Sequence, residues 1–200
     1  MKNKIPPLSV DLLLSAYTQG IFPMASEDNE IGWYCPDPRA IIPLENYKAS
    51  KSLRPVLNKQ LFEIRLNQQF EQVMRFCAAP RGEDNGVWIS EEMIKVYVQM
   101  HQFGFAHSVE AYQNNELVGG LYGIALGGVF YGESMFSKVS NASKVAFHYL
   151  IDILKKNNYE LLDTQFMNDN VKRYGAIEIP QVDFLKQLDK ALQKECKFCL

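Results

Sequence analysis

Between residues 116 and 166 the chain changes hydrophobic period twice, and that alternation limits the fold more than any other feature. Apolar residues follow a two-residue period over 116–125 and again over 128–133, with Leu126-Gly127-Gly128 between them. This is the pattern of two paired strands and their turn. Asn141 and Ser143 then stand ahead of Val145, Ala146, Tyr149, Leu150, Ile153 and Leu154, the stripe of a capped amphipathic helix. Lys155, Lys156, Asn157 and Asn158 close it with cations and turn residues that suit the helix dipole. Residues 159–166 read as another buried strand. Strand, helix and strand in that order predict a crossover between parallel strands.

The chain holds enough apolar residues to close a domain around that unit. Of its 200 residues 47% are hydrophobic, sufficient for one large or two small cores. A net charge of -2 excludes a global basic field, so a polyanionic partner must be met by a local patch. No run of 18 apolar residues occurs, and Met1-Lys2-Asn3-Lys4 leads to Pro6-Pro7 rather than to a signal-peptide core. A cytoplasmic protein is expected. Cys35 and Cys77 are isolated, and Cys196 and Cys199 fall in what reads as a frayed tail, so reduced thiols are expected and no zinc pattern is present. His101, His107 and His148 form no ligand spacing either, and no metal is expected.

Ahead of the crossover, Ser9 or Asp11 caps a helix over 10–19 that Gly20 ends. Residues 21–24 are an extended apolar turn, 31–35 a strand, and Pro36-Asp37-Pro38-Arg39 a stop. A strand over 61–67, a helix over 70–77, a long turn over 79–86 and a helix from Ser90 to about 103 follow. A meander then turns at Asn114-Asn115. The expected division is a small N-terminal module over 1–58 and a mixed α/β domain over 59–200.

Polar residues inside apolar segments are the candidates for chemistry. Asp163 and Gln165 lie two apart on an apparent central strand and share a face. Either they are a satisfied buried pair that pins a loop, or they serve a site. Glu133 ends a strand beside Ser134 and is a second inward polar position, with bracing of the next loop as its plain role. Met135, Phe130, Phe147 and Leu150 suit a pocket or simply the core. Lys48, Lys51, Arg54 and Lys59 form a run of four cations without an acid. It reads as a solvated helix face or as a stripe for phosphates.

The ordered motifs resemble one family. Gly20-Ile21-Phe22-Pro23, Trp33 with Pro36-Asp37-Pro38-Arg39-Ala40, Trp88-Ile89, Gly104 and Ala106-His107-Ser108-Val109-Glu110 come first. Leu117-Val118-Gly119-Gly120-Leu121-Tyr122-Gly123, Gly132-Glu133-Ser134-Met135-Phe136-Ser137 and Asn141-Ala142-Ser143-Lys144 follow. Asp163-x-Gln165, Asn168-Asp169, Gly175-Ala176 and Ile179-Pro180 complete the set. The set resembles the leucyl/phenylalanyl-tRNA–protein transferases of the bacterial N-end rule. The resemblance implies an α+β protein, with a small N-terminal domain and a C-terminal domain like the GNAT acetyltransferases. It implies transfer of leucine or phenylalanine, with methionine able to leak through, from aminoacyl-tRNA to the N-terminal Arg or Lys of acceptor proteins. That transfer marks them for degradation.

By the same resemblance, Asp163 and Gln165 take the catalytic step, and Glu133 and Trp88 lie in the substrate site. Leu121, Phe130, Met135, Phe147, Leu150 and Leu154 fall where the family places the pocket for the amino-acid side chain. The Lys48, Lys51, Arg54 and Lys59 run is then the candidate for tRNA. Met24 stands where the family usually has tryptophan, and Asn170 where it often has histidine. Phe147 replaces a residue that is often smaller, which favours leucine over phenylalanine. An aminoacyl ester is already activated, so no cofactor is expected, and no phosphate-binding loop of the P-loop type occurs. A monomer without membrane association is expected. Two rivals stand beside this reading. An acetyl-CoA-dependent acetyltransferase would want glycines at 137–141, where the chain reads Ser137-Lys138-Val139-Ser140-Asn141. A non-catalytic tRNA- or peptide-binding module would have no use for Asp163 and Gln165.

Overall fold

The computed structural model describes residues 7–26, 28, 30–80 and 88–200. The N-terminal reading at Met1 to Lys4 and most of the turn expected over 79–86 lie outside these residues. Helix α1 (Val10–Tyr17) begins at Ser9, whose side chain accepts from the Leu12 N–H at 3.3 Å. The turn that follows it closes at Gly20, where φ is +75° and a Cβ would crowd Phe184 at 3.0 Å. Glycine is thus required there twice, by backbone and by packing. The apolar residues 21–24 do more than turn: β1 (Phe22–Ala25) pairs antiparallel with β2 (Ile31–Tyr34) as a separate ribbon.

The large sheet holds seven strands. They are β3 (Arg39–Ile41), β4 (Glu63–Leu66), β5 (Ala106–Gln113), β6 (Glu116–Leu126), β7 (Val129–Ser137), β8 (Leu161–Gln165) and β9 (Ile177–Ile179). Their spatial order is β4-β5-β6-β7-β8-β3-β9. β7 and β8 are parallel, with Tyr131 opposite Asp163, and every other neighbour pair is antiparallel. Between the parallel strands runs α5 (Ala142–Lys156), so the expected crossover is present. The fold is a mixed α/β one around a mixed sheet.

One face of the sheet carries α5. Val145, Phe147, Leu150 and Leu154 pack there on Val109, Leu121, Phe130 and Leu162. The other face carries α1, α3 (Phe70–Ala78), α4 (Glu91–Gln102) and α7 (Gln181–Leu192), through Tyr17, Met74, Tyr97 and Phe184 among others. Each such large side chain contributes roughly 1.5–3 kcal/mol on burial.

Some local expectations change. β7 runs on to Ser137 because β6 keeps pairing with it, Gly119 opposite Ser137, across a register shift at Tyr122 and Gly123. Asn141 precedes α5 with φ +69° and makes no capping bond; Ser137 Oγ instead accepts from the Ser143 N–H at 3.3 Å. Helix α2 (Arg54–Asn58) is only five residues long, so Lys48 and Lys51 lie outside it and no continuous cationic helix face forms. Beyond α6 (Asp169–Arg173), the end of the chain is packed rather than frayed: Phe198 stacks on Phe130 at 5.3 Å and on His107 at 4.5 Å. The four cysteines are free thiols. Among the described residues no group of three or more His, Cys, Asp or Glu could hold a metal ion, and no helix is long and apolar enough to cross a membrane.

Candidate active site

β8 ends at Gln165 with φ +67°, a left-handed conformation that turns the chain out of the sheet beside Glu133 of β7. Because β7 and β8 are neighbours, two polar positions far apart in sequence meet there. The Gln165 side chain donates from Nε2 to Glu133 Oε1 at 3.0 Å. A carboxylate oxygen is an acceptor, so this bond fixes the amide: its N–H₂ faces Glu133, and its carbonyl oxygen is presented elsewhere.

Asp163 has the partners of the first alternative its spacing left open, a satisfied buried group that pins a loop. It is wholly buried and grips Arg39 in a two-pronged pair, 2.8 Å from Nε and 2.6 Å from Nη2. Its Oδ1 also accepts from the main-chain N–H of Gln165 at 2.9 Å. The hydrogen bond between these two residues thus runs from the Gln165 main chain, not its side chain. Arg39 is itself enclosed. It donates to the Gly20 carbonyl at 2.9 Å and lies between the rings of Phe22 and Phe184, 4.8 and 4.5 Å from their centres. It ties the end of α1, the ribbon, α7 and the tip of β8 into one unit.

Glu133 is approached from the far side by two tyrosines. The Tyr17 hydroxyl donates to Glu133 Oε1 at 2.7 Å, which commits its one proton, so Tyr97 is the donor in the 2.5 Å bond between the two phenols. Burial and the Glu133 charge hold both phenols well above the usual range, so they remain donors. Glu133 Oε1 thus receives two hydrogen bonds, whereas its enclosed Oε2 has no partner among the described residues. Burial pushes the Glu133 carboxyl up to about 8, helped by the Asp163 charge and opposed by the Tyr17 bond and the Arg39 charge.

Glu133 and Gln165 line a pocket of about 250 Å³. Its apolar wall is Leu121, Met135, Phe147, Leu150 and Leu162, and Met24, Trp88 and Phe166 stand with it. The size is just under the usual ligand-pocket range and suits one apolar side chain with a little more, not a whole large cofactor. Phe147 is braced by Tyr174 of the α6 end, ring centres 4.0 Å apart, and by Tyr47 at 5.7 Å. Of the pocket residues expected, Trp88, Leu121, Met135, Phe147 and Leu150 line it. Phe130 and Leu154 do not: both are fully buried behind the wall, Phe130 against Phe198 and Leu154 two helical turns beyond Phe147.

A second groove leaves the pocket past Met135 and Asn170, and it carries Lys138 and Lys144. Lys138 Nζ sits 3.3 Å from the centre of the Phe76 ring. Lys48, Lys51, Arg54 and Lys59 are all exposed and none lines the pocket. Tyr17, Tyr97, Arg39, Phe166, Asn168 and Val171 were not singled out by residue type, though all shape or support the site. Their signal is weak, because aromatic residues on amphipathic helices and an arginine after Pro-Asp-Pro look like packing and turn.

The chain is similar in sequence to known proteins. Residues 41–189 match the family model described as leucyl/phenylalanyl-tRNA protein transferase, and residues 7–37 match the model of its N-terminal domain. The leucyl/phenylalanyl-tRNA–protein transferase of Chlorobaculum tepidum is 48% identical over 96% of this chain and 99% of its own length. Those of Gloeobacter violaceus and Herpetosiphon aurantiacus are 47% and 49% identical over 96% of this chain, covering 97% and 98% of their lengths. Among solved structures, L-PGS from Bacillus licheniformis matches 76% of this chain and 51% of its own, at 14% identity and a TM-score of 0.43.

Proposed function

The chain belongs to the leucyl/phenylalanyl-tRNA protein transferase family, and from that premise we propose how its own residues carry out the transfer. It is an aminoacyltransferase, with aminoacyl-tRNA as donor and a protein as acceptor. The leucine or phenylalanine side chain enters the apolar pocket, which puts the ester carbonyl at its polar rim. There the acceptor's α-amine attacks the carbonyl carbon. A C–N bond forms, the C–O bond to the ribose breaks, and the ribose oxygen leaves with the proton that the attacking nitrogen gives up as it becomes an amide.

The observation that carries this reading is the rim itself: Gln165 and Glu133 bonded to each other at the edge of an apolar pocket, with Glu133 Oε2 unpartnered among the described residues. A Glu133 carboxyl near 8 lies close to an N-terminal amine at about 7.7–8.0, so a proton passes between them at little cost. Glu133 takes the ammonium's proton on Oε2, and the Gln165 carbonyl oxygen accepts from the remaining N–H and aims the lone pair. Asp163, with both oxygens engaged, is a positioning residue that locks the turn at Gln165.

We read the acceptors as proteins beginning with Arg or Lys, marked by the transfer for degradation. The β7-α5-β8 crossover supports a GNAT-like catalytic domain. The ribbon and α1 support a small N-terminal part within 1–58; it would fold as a coupled unit with the rest, because β3 is donated to the large sheet. Phosphates of the donor near the pocket suit Lys138 and Lys144, and those farther along it Lys48, Lys51, Arg54 and Lys59. A cytoplasmic monomer fits this role.

Gln165→Gly tests the reading. It removes the amide yet relieves the left-handed backbone, so the protein should fold at least as well as wild type. Single-turnover transfer should fall by at least about 10²-fold with charged-tRNA binding retained. Wild-type rates in the folded variant would leave catalysis to the substrate's own ribose hydroxyl.

A further inference from the structure

Tyr34 and Phe166, the latter next in the chain to Gln165, present two half-exposed aromatic rings. They are 42% and 40% exposed, their centres 6.2 Å apart and their planes at 71°. Both rest on the buried ring of Phe22, at 6.1 and 5.5 Å, and Phe22 is held beneath by Arg39. The shelf is therefore built on the unit that Arg39 ties together.

Its placement follows from the ribbon. Phe22 opposes Tyr34 and Met24 opposes Gly32, so these four positions share one face. Glycine at 32 lets the Tyr34 ring lie back along the strand; a Cβ there would stand 2.8–3.0 Å from that ring and its hydroxyl. Met24 and Phe166 both line the pocket, so the shelf begins where the pocket ends. The charge distribution separates the two ways out. Lys138 and Lys144 lie along the groove past Met135, chemistry suited to a polyanion. Among the described residues lining the pocket Glu133 is the single Asp, Glu, Lys, Arg or His, so no cation stands there, and aromatic faces are electron-rich.

We propose that Tyr34 and Phe166 form the subsite for the first residue of the acceptor polypeptide, whose cationic head and aliphatic stem lie on the two rings while its α-amine faces Glu133 and Gln165. The proposal rests on the reading that acceptors begin with Arg or Lys. A planar guanidinium stacks on such rings better than an ammonium, so Arg should be preferred.

The test compares peptides beginning with Arg, Lys or citrulline, the last matching Arg in shape without its charge. Tyr34→Leu and Phe166→Leu should each raise KM for the Arg peptide by about 2- to 30-fold, the span of a cation–π contact. Both should also narrow the preference for Arg over citrulline, and Tyr34→Leu, at a position outside the pocket lining, should leave KM for charged tRNA unchanged. Tyr34→Phe and Tyr34→Trp should keep wild-type values. Tyr34 stands at the exposed end of an edge strand, so its variants fold even if Phe166→Leu does not. A rise in KM for charged tRNA with the peptide KM unchanged would overturn the proposal and make the shelf a platform for a nucleobase. No change in either KM would overturn it as mere packing. Wild-type enzyme that used no Arg- or Lys-initiated peptide would instead remove the premise, a failure visible before any variant is made.

Discussion

Glu133 enters the fold with its carboxyl raised from 4.5 to about 8, chiefly by burial. The folded state therefore holds the proton more tightly than the unfolded chain. The stability this contributes is full below about 4.5 and is lost as pH rises through about 8. Glu133→Gln has no charge to lose. Thermal melts should show wild type falling relative to this variant between pH 5 and 9, and parallel curves would mean Glu133 titrates normally. Asp163→Asn leaves Arg39 a buried cation without its counter-charge, which costs about 3–5 kcal/mol. Pairing Arg39→Met with Asp163→Ala, which offers the Gln165 N–H no acceptor, should recover part of the melting temperature lost by Asp163→Ala alone but none of the turnover, because Gln165 stays unlocked. Recovery of both would make Asp163 a purely structural residue. Asp163, Gln165 and Glu133 were legible in the sequence because each interrupts an apolar strand. Their true connections were not, since the Arg39 and Tyr17 partners lie 124 and 116 residues away.

α5 separates pocket from core along its own length. Leu150 lines the pocket and Leu154, one turn on, does not, though both are fully enclosed. Leu154→Ala should lower the melting temperature by an amount equivalent to about 2–5 kcal/mol and leave the Leu/Phe preference alone. Leu150→Ala should instead shift transfer toward phenylalanine by enlarging the wall beside Phe147. Competition between the two charged tRNAs, run with thermal melts, distinguishes them; equal preference in both variants would put Leu150 in the core as well. The crossover was readable because its hydrophobic period changes from two to 3.6 and back. α7 carried a usable signal in Phe184, Leu188 and Ala191 after Pro180, spaced as one helical face. β9 carried none: Ile177 and Glu178 are exposed, and only pairing with β3 makes it a strand. The length of α2 was equally hidden, because Pro55 suits a first turn but says nothing about where the helix stops.

At the scale of the molecule, a chain of net charge -2 must receive a large polyanion, so binding has to be local. Neutralising Lys48, Lys51, Arg54 and Lys59 together should flatten the salt dependence of tRNA binding by roughly one ion equivalent per lost contact. It should raise KM for charged tRNA with saturated turnover nearly unchanged. An unaltered slope would confine the donor to the Lys138 and Lys144 groove. The family's motifs were legible end to end, since they are local in sequence. The two exits from the pocket were not, because each is assembled from distant segments: Phe76, Lys138 and Tyr174 on one side, Tyr34 and Phe166 on the other. The central claim is that this one site joins an activated amino acid to a protein's α-amine. The most direct measurement is transfer of labelled leucine from charged tRNA to a peptide beginning with arginine, without added ATP or CoA. Label should appear on the peptide's N-terminus, and blocking that amine should abolish it. No labelled peptide, together with acetylation of the same amine from acetyl-CoA, would contradict the account.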